Sequence, residues 1–231
     1  MIIQGLQKLT LLDYPGHVAC TVFTAGCNLR CPFCHNAALV THIDKSNGIS
    51  EDEFFSFLKK RQGILDGVCI SGGEPLLMPD IVEFAKKIKS LGFLIKLDTN
   101  GTFFERLCDI VGMGIVDYVA MDIKNSPKKY PMTAGCESVD IDSVKKSVAF
   151  LEKSEIDHEF RTTVVRELHT EEDMNEIGKW LCGTKKYFLQ GFIDSGDLIG
   201  QNYSAYSASE MAKMLDIVRV SVPSASLRGI D

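Results

Sequence analysis

The sequence has 231 residues, of which 45% are hydrophobic, so one α/β domain with a large core can be built. Its formal net charge is −6 and it has no long run of Lys or Arg, which argues against a nucleic-acid-binding protein. No apolar run reaches the ~18 residues that a membrane span needs, and the first residues lack the charged-then-apolar order of a signal peptide. We therefore expect a cytoplasmic protein.

Turn residues divide the chain into strands that alternate with helices. Runs rich in β-branched and aromatic residues predict strands at 17–26, 67–73, 93–101, 117–124, 158–165 and 186–192. Apolar periodicity and capping residues predict helices at 50–62, 80–91, 102–113, 139–154, 171–182 and 207–218. A loop at 125–140 and a short tail at 220–231 complete the chain.

The connections between the strands are too long for tight hairpins, so they predict parallel strands joined by right-handed crossovers. Such units form either an open doubly wound sheet or a partial barrel, and both place functional residues at the carboxyl ends of the strands. We expect a single α/β domain over 1–231, with its core at about 15–195 and a C-terminal extension at 196–231.

Polar and metal-binding residues lie at or near the carboxyl ends of the predicted strands. In chain order they are Cys27, Cys31 and Cys34; Gly72, Gly73 and Glu74; Asp98, Thr99 and Asn100; Asp122 and Lys124; Arg161; and Gln190. Since parallel strands end at one rim, these residues are expected to converge although they are far apart in sequence.

The three cysteines at C-x3-C-x2-C leave one coordination position open. Zinc accepts three protein ligands in catalytic sites, with His35 as a conceivable fourth. The spacing suits an iron–sulfur cluster better, because thiolates two to four residues apart can reach several corners of a cubane. The other five cysteines are scattered, and Cys20 and Cys69 fall in apolar strands.

This motif, with Phe33 before the last cysteine and GGEP at 72–75, resembles the signature of radical S-adenosylmethionine (radical SAM) enzymes. The segments LDYPGHVACTVFTAGCNLRCPFCHN, LDTNG, YVAMDIK, EFRTTVV and FLQGF resemble, in this order, the activating enzymes of glycyl radical enzymes. Within that group, the segments most resemble the branch of the anaerobic ribonucleoside-triphosphate reductase activating proteins. The similarity runs from about residue 5 to the closing LRGI.

The resemblance implies a partial (β/α)6 radical SAM barrel with a short C-terminal helix and tail. It also implies a [4Fe–4S] cluster on Cys27, Cys31 and Cys34, with S-adenosylmethionine on the fourth iron. Reductive cleavage would give a 5′-deoxyadenosyl radical that removes a hydrogen atom from a glycine of a partner enzyme. A flavodoxin or ferredoxin-type protein would donate the electron, and neither nucleic acid nor membrane is an expected partner.

The resemblance further implies roles for single residues. Lys124 joins the cluster cysteines as a catalytic residue. The expected S-adenosylmethionine contacts are Phe33, Gly72, Gly73, Glu74, Asp98, Asn100, Asp122, Lys124, Arg161 and Gln190. A cation beside the cofactor's carboxylate would take oxygens from Asp98 and Asp122 and from main-chain carbonyls near Thr99 and Ala120, with its identity open.

Structural alternatives remain at each of these positions. The two glycines could simply end a strand, and Lys124 or Arg161 could form an ordinary ion pair. The function also has alternatives, which are a radical SAM enzyme acting on a small molecule and a non-catalytic or zinc-binding scaffold. The loop 125–139, with Cys136, shows no motif.

Overall fold

The computed structural model describes residue 1, residues 3–43 and residues 48–230. Its strands form one eight-stranded sheet in chain order. They are β1 (Ile3–Thr10), β2 (Ala19–Thr24), β3 (Gly67–Gly72), β4 (Leu94–Thr99), β5 (Tyr118–Asp122), β6 (Asp157–Val164), β7 (Tyr187–Gly191) and β8 (Ser226–Arg228). The helices are α1 (Ala37–Thr41), α2 (Glu51–Lys59), α3 (Ile81–Ser90), α4 (Phe104–Gly112), α5 (Tyr130–Ala134), α6 (Ile141–Lys153), α7 (Glu171–Trp180) and α8 (Ala208–Arg219).

The sheet is the open, partial barrel that the sequence predicted. Strands β2 to β8 pair in parallel with their chain neighbours, and only β1 pairs antiparallel, with β2. The six predicted strands correspond to β2 to β7. Among the described residues, the edge strands β1 and β8 do not pair with each other, so the barrel stays open.

Among the described residues, four helices and strands were not predicted, namely β1, β8, α1 and α5. Strand β1 reads IQGLQKLT, and its glutamines and Gly5 obscure the β-rich composition of a strand. Strand β8 has 3 residues, while α1 and α5 have 5 each. These lengths are below what periodicity can detect, and each element depends on contacts distant in sequence.

The core holds the strand ends in place. In α3 the predicted apolar face of Ile81, Phe84, Ala85 and Ile88 is buried. Burying such a side chain stabilises the fold by roughly 1.5–3 kcal/mol. Ser50 begins α2 as expected, since its hydroxyl accepts a hydrogen bond from the backbone N–H of Glu53.

In the part of the chain that the structure describes, no helix has both the length and the hydrophobicity to span a membrane.

Candidate active site

A cavity of about 290 Å³ opens at the carboxyl ends of the parallel strands. It gathers nearly all of the predicted site residues, as the topology requires. Those that line it are Cys27, Cys31, Phe33, Cys34, Gly72, Gly73, Asp98, Thr99, Asn100, Asp122, Lys124, Arg161 and Gln190. Glu74 and Ala120 are not among the lining residues.

The three cysteine thiols share this cavity and form no disulfide. Burial raises the pKa of Cys31 to about 12 and also raises the pKa of Cys27, so these two thiols are protonated at neutral pH when nothing is bound to them. Within residues 3–43 and 48–230, no three His, Cys, Asp or Glu side chains converge on one metal ion. Three thiols that line one cavity are a ligand set that an iron–sulfur cluster accepts.

The segment after β5, in which the sequence showed no motif, packs against the loop that carries the three cysteines. The backbone N–H of Arg30 donates to the carbonyl of Ala134 at the end of α5, at 3.0 Å. Gly135 follows with φ +59°, and a Cβ there would stand 2.0 Å from the Arg30 carbonyl oxygen. This position therefore requires glycine both for its left-handed backbone and for its contact with the residue before Cys31.

Replacing Gly135 with alanine is expected to displace the cysteine loop and lower the iron content of the reconstituted protein. Gly114→Ala is a matched control, because Gly114 has φ +65° and nothing within 4 Å of a Cβ. Both variants incur roughly 1–2 kcal/mol of left-handed backbone strain. Iron per chain and the thermal midpoint Tm measure the effect. If iron content and Tm fall equally in the two variants, the contact of Gly135 with Arg30 does not contribute to cluster binding.

The glycine pair after β3 allows close packing against the chain's own backbone. A Cβ on Gly72 would lie 2.4 Å from the Thr24 backbone, and one on Gly73 would lie 1.9 Å from the Gly26 carbonyl oxygen. The N–H of Glu74 also donates to that carbonyl, at 2.8 Å. The glycines thus join β3 to the start of the cysteine loop, and they still expose backbone to the cavity.

The predicted contact between the Glu74 carboxylate and S-adenosylmethionine is not supported by its position. Glu74 is fully buried, and its carboxylate accepts hydrogen bonds from Leu76 N at 3.0 Å, Thr99 Oγ1 at 2.9 Å and Asn100 N at 2.7 Å. Burial raises its pKa to about 7 against these donors. The carboxylate thus joins the loop after β3 to the loop after β4, and Glu74 is not among the residues that line the cavity.

Arg161 joins two carboxylates at the floor of the cavity. Its Nε and Nη2 lie 2.9 Å and 2.8 Å from Asp122 Oδ1, and its Nη1 lies 3.4 Å from Asp98 Oδ2. Lys124 Nζ contacts Asp122 Oδ2 at 3.0 Å, and the buried Lys96 pairs with Asp98. Burial alone would raise the pKa of Asp122, but Arg161 and Lys124 outweigh it and lower this pKa to about 2.

The predicted cation site uses the same two carboxylates, Asp98 and Asp122, that form these ion pairs. Asp98 and Asp122 are already balanced by the three basic groups of Lys96, Lys124 and Arg161. Ala120 lies inside β5, paired with Asp98 of β4 and Glu159 of β6, and is fully buried away from the cavity. An added cation would have to compete with these internal ion pairs, so its binding stays a prediction.

The far side of the cavity is formed by β6, β7 and the segment after β7. Thr163, Gln190 and Phe192 line it, together with Ile193, which is 63% exposed at the rim. Gly191 is the last residue of β7 and follows Gln190. The C-terminal tail explains this glycine, because a Cβ there would meet the Gly229 carbonyl oxygen at 2.6 Å.

The sequence reasoning missed the residues that act through contacts distant in the chain. Ser71 Oγ donates to Asp98 at 2.9 Å. His169, fully buried, lies 2.8 Å from the Lys124 carbonyl oxygen and packs edge-on against Phe33. Lys96 is the clearest case, since a lysine within an apolar strand signals a buried partner, and Asp98 lies two residues away on the same face.

Fold, cavity and cysteine loop together define a class of enzyme. Residues 21–181 match the model of the radical SAM superfamily, and the chain belongs to this superfamily. A cofactor pair of [4Fe–4S] cluster and S-adenosylmethionine goes with this membership, and the three free thiols around one cavity fit it. Within the superfamily, the chain is a member of the group of enzymes that activate glycyl radical enzymes.

The relatives that place it there come from archaea and bacteria. A protein of Methanocaldococcus jannaschii with the name "Putative glycyl-radical enzyme activating enzyme" is 33% identical over 196 residues, which are 83% of this chain and 80% of that protein. A pyruvate formate-lyase-activating enzyme of Listeria monocytogenes is 31% identical over 138 residues. That match spans 55% of this chain and 55% of the relative, about half of each.

Solved structures support the fold. SuiB of Streptococcus suis bound to S-adenosylmethionine superimposes with a TM-score of 0.71 at 14% identity, covering 89% of this chain and 49% of that one. Native anSMEcpe with bound AdoMet gives 0.66 at 17% identity, covering 89% and 62%. The chain thus spans about half to two thirds of these larger proteins, and at such identities the likeness concerns the barrel alone.

Proposed function

We propose that this protein generates a glycyl radical on a partner enzyme, an anaerobic ribonucleotide reductase, and takes its electron from a flavodoxin or ferredoxin-type donor. The observation that carries the glycyl radical activity is the similarity over 83% of the chain to a relative named for that activity. The ribonucleotide reductase as partner rests on the resemblance of the sequence segments to that branch. The exposed rim at Ile193 supports the proposal, because an open mouth can admit a protein loop.

Each wall of the cavity has a separate task in this proposal. Cys27, Cys31 and Cys34 hold the cluster, which when bound supplies the electron that divides S-adenosylmethionine into methionine and a nucleoside radical. The backbone of Gly72 and Gly73 receives the amino group of the cofactor, since the Glu74 carboxylate is engaged elsewhere. A backbone carbonyl is a suitable acceptor for an ammonium group.

The basic groups at the floor receive the carboxylate of the cofactor. Lys124 and Arg161 both line the cavity, and each has a donor group fixed in place by Asp122. An ammonium or guanidinium held by an aspartate is oriented before the ligand arrives, which reduces the entropy lost on binding. Phe33 and Phe192 exclude water from the reacting side, and Gln190 offers an amide to the nucleoside.

Electron paramagnetic resonance of a candidate partner tests the proposal. The reconstituted protein, S-adenosylmethionine and a reductant are incubated with an anaerobic ribonucleotide reductase, and we expect a glycyl radical signal. The partner with its radical glycine replaced by alanine is the control. If S-adenosylmethionine is cleaved and a radical forms on pyruvate formate-lyase but not on this reductase, the proposed partner is wrong and the glycyl radical activity stands. Cleavage that occurs only with an added small molecule would overturn glycyl radical activation.

A further inference from the structure

The side-chain amide of Asn100 lies against the first of the three cysteines. Its Nδ2 stands 3.8 Å from Cys27 Sγ and 2.9 Å from Asn28 Oδ1. Asn100 is 5% exposed and follows β4, while Cys27 belongs to the loop after β2. The contact therefore links two separate strand ends at the cavity.

The orientation of this amide is set by Thr102. The backbone N–H of Thr102 lies 3.0 Å from the Asn100 side chain, and its hydroxyl lies 2.6 Å from the same atom. A backbone N–H can only donate, so that atom is the amide oxygen, and the NH₂ group faces Cys27 and Asn28. The Asn28 amide in turn donates to the Thr102 hydroxyl at 2.8 Å, which holds the arrangement from both sides.

All hydrogen-bonding capacity of the Asn100 side chain is used within the protein. Its oxygen accepts two hydrogen bonds, and its two N–H groups go to Asn28 and to the Cys27 sulfur. No donor or acceptor remains for S-adenosylmethionine. The contact with that cofactor predicted from the sequence therefore stays a prediction for the backbone of Asn100, while the side chain contacts a cluster ligand.

The three cysteine sulfurs differ in the number of hydrogen bonds that they accept. Cys27 Sγ also accepts the backbone N–H of Leu29 at 3.4 Å, so two N–H groups point at it. In the described part of the chain, the sulfurs of Cys31 and Cys34 accept no hydrogen bond. Hydrogen bonds to thiolate sulfur are among the factors that set the potential of an iron–sulfur cluster. They favour the reduced state because reduction adds negative charge.

We propose that Asn100 is a positioning residue that donates to the Cys27 thiolate and raises the reduction potential of the cluster, which eases its one-electron reduction. The inference rests on the cluster-binding role of the three cysteines and is independent of the identity of the partner enzyme. Asn100→Leu keeps the approximate volume and removes the donor. Asn100→Asp replaces the donor with a negative charge beside the thiolate.

A redox titration of the anaerobic holoprotein, followed by electron paramagnetic resonance without S-adenosylmethionine, tests the inference. We expect Asn100→Leu to weaken one-electron reduction up to about tenfold, which corresponds to a potential lower by about 59 mV. Asn100→Asp should lower the potential further. Thr163→Val is the matched control, because Thr163 lines the same cavity without a hydrogen bond to a cysteine sulfur, and its potential should equal that of the wild type.

The outcomes separate this inference from the assignment of the cluster. Unchanged potentials in both Asn100 variants, at full iron content, would overturn the inference and leave the cluster intact. A wild-type protein that binds no iron would overturn the cluster itself. Should Asn100→Leu fail to assemble a cluster, Thr102→Val still tests the inference. It removes a hydroxyl that orients the amide and should lower the potential by a smaller amount, whereas no change would contradict the inference.

Discussion

Replacing Cys31 with alanine is expected to abolish the cleavage of S-adenosylmethionine, with a loss of at least about 10³-fold in the rate of 5′-deoxyadenosine formation, a loss of about 4 kcal/mol in transition-state stabilisation. Cys31 is the most buried of the three thiols and lies between the other two in the loop. Two remaining thiolates cannot hold three corners of the cluster, so iron content should fall together with activity.

Cys182→Ala is the control for this variant. Cys182 is exposed and lies outside the cavity, so its loss should leave both iron content and activity unchanged. Iron and sulfide per chain, the visible absorption of the cluster and the formation of 5′-deoxyadenosine are measured on both variants under anaerobic conditions. A Cys31→Ala protein with about four irons and full activity would contradict the assignment of the cluster ligands.

Replacing Arg161 with leucine is expected to destabilise the fold by roughly 3–5 kcal/mol, because it leaves two largely buried carboxylates without their shared partner. The side chains of Arg161, Asp98 and Asp122 are 13%, 16% and 31% exposed. For a chain of this length the loss lowers Tm by roughly 6–20 °C. Lys86→Ala removes an exposed pair with Glu83 and should change Tm far less.

The effect of Arg161→Leu should depend on pH in a defined direction. In the wild type, burial opposes ionisation, but Arg161 with Lys96 lowers the pKa of Asp98, and Arg161 with Lys124 lowers that of Asp122 to about 2. A lowered pKa contributes stability above the unfolded-state value of about 3.9, and that stability is lost as the pH falls toward 2. The variant loses this contribution, and its carboxylates become protonated more readily.

The difference in Tm between wild type and Arg161→Leu should therefore be largest near neutral pH and shrink below about pH 5. Thermal unfolding followed by circular dichroism at a series of pH values measures it. A difference that is constant with pH would mean that lost packing, and not the lost ion pairs of Arg161 with Asp98 and Asp122, accounts for the destabilisation.

The sequence was sufficient for the central strands and the cavity, because both depend on local signals. The β-rich runs mark β2 to β7, and parallel strands must bring their carboxyl ends to one rim. The direction in which a side chain points depends on contacts with residues distant in the sequence. Glu74 faces Thr99 and the backbone of Asn100 instead of the cavity, and those partners are 25 and 26 residues away.

The short elements escaped prediction for the same physical reason. Helix α5 has 5 residues and a proline in its first turn, so no periodicity reveals it. Its place is fixed by Gly135 against Arg30, across a hundred residues of chain. The contacts of the Asn100 side chain with Cys27 and Asn28 likewise join residues that are 73 and 72 positions apart in the chain, although the LDTNG segment marks the position in the sequence.

Formation of 5′-deoxyadenosine by the reconstituted protein, with dithionite and S-adenosylmethionine under anaerobic conditions, tests the account most directly. We predict about four irons per chain and methionine and 5′-deoxyadenosine in equal amounts, both lost in Cys31→Ala. A protein that carries its four irons and binds S-adenosylmethionine yet releases neither product would contradict the account.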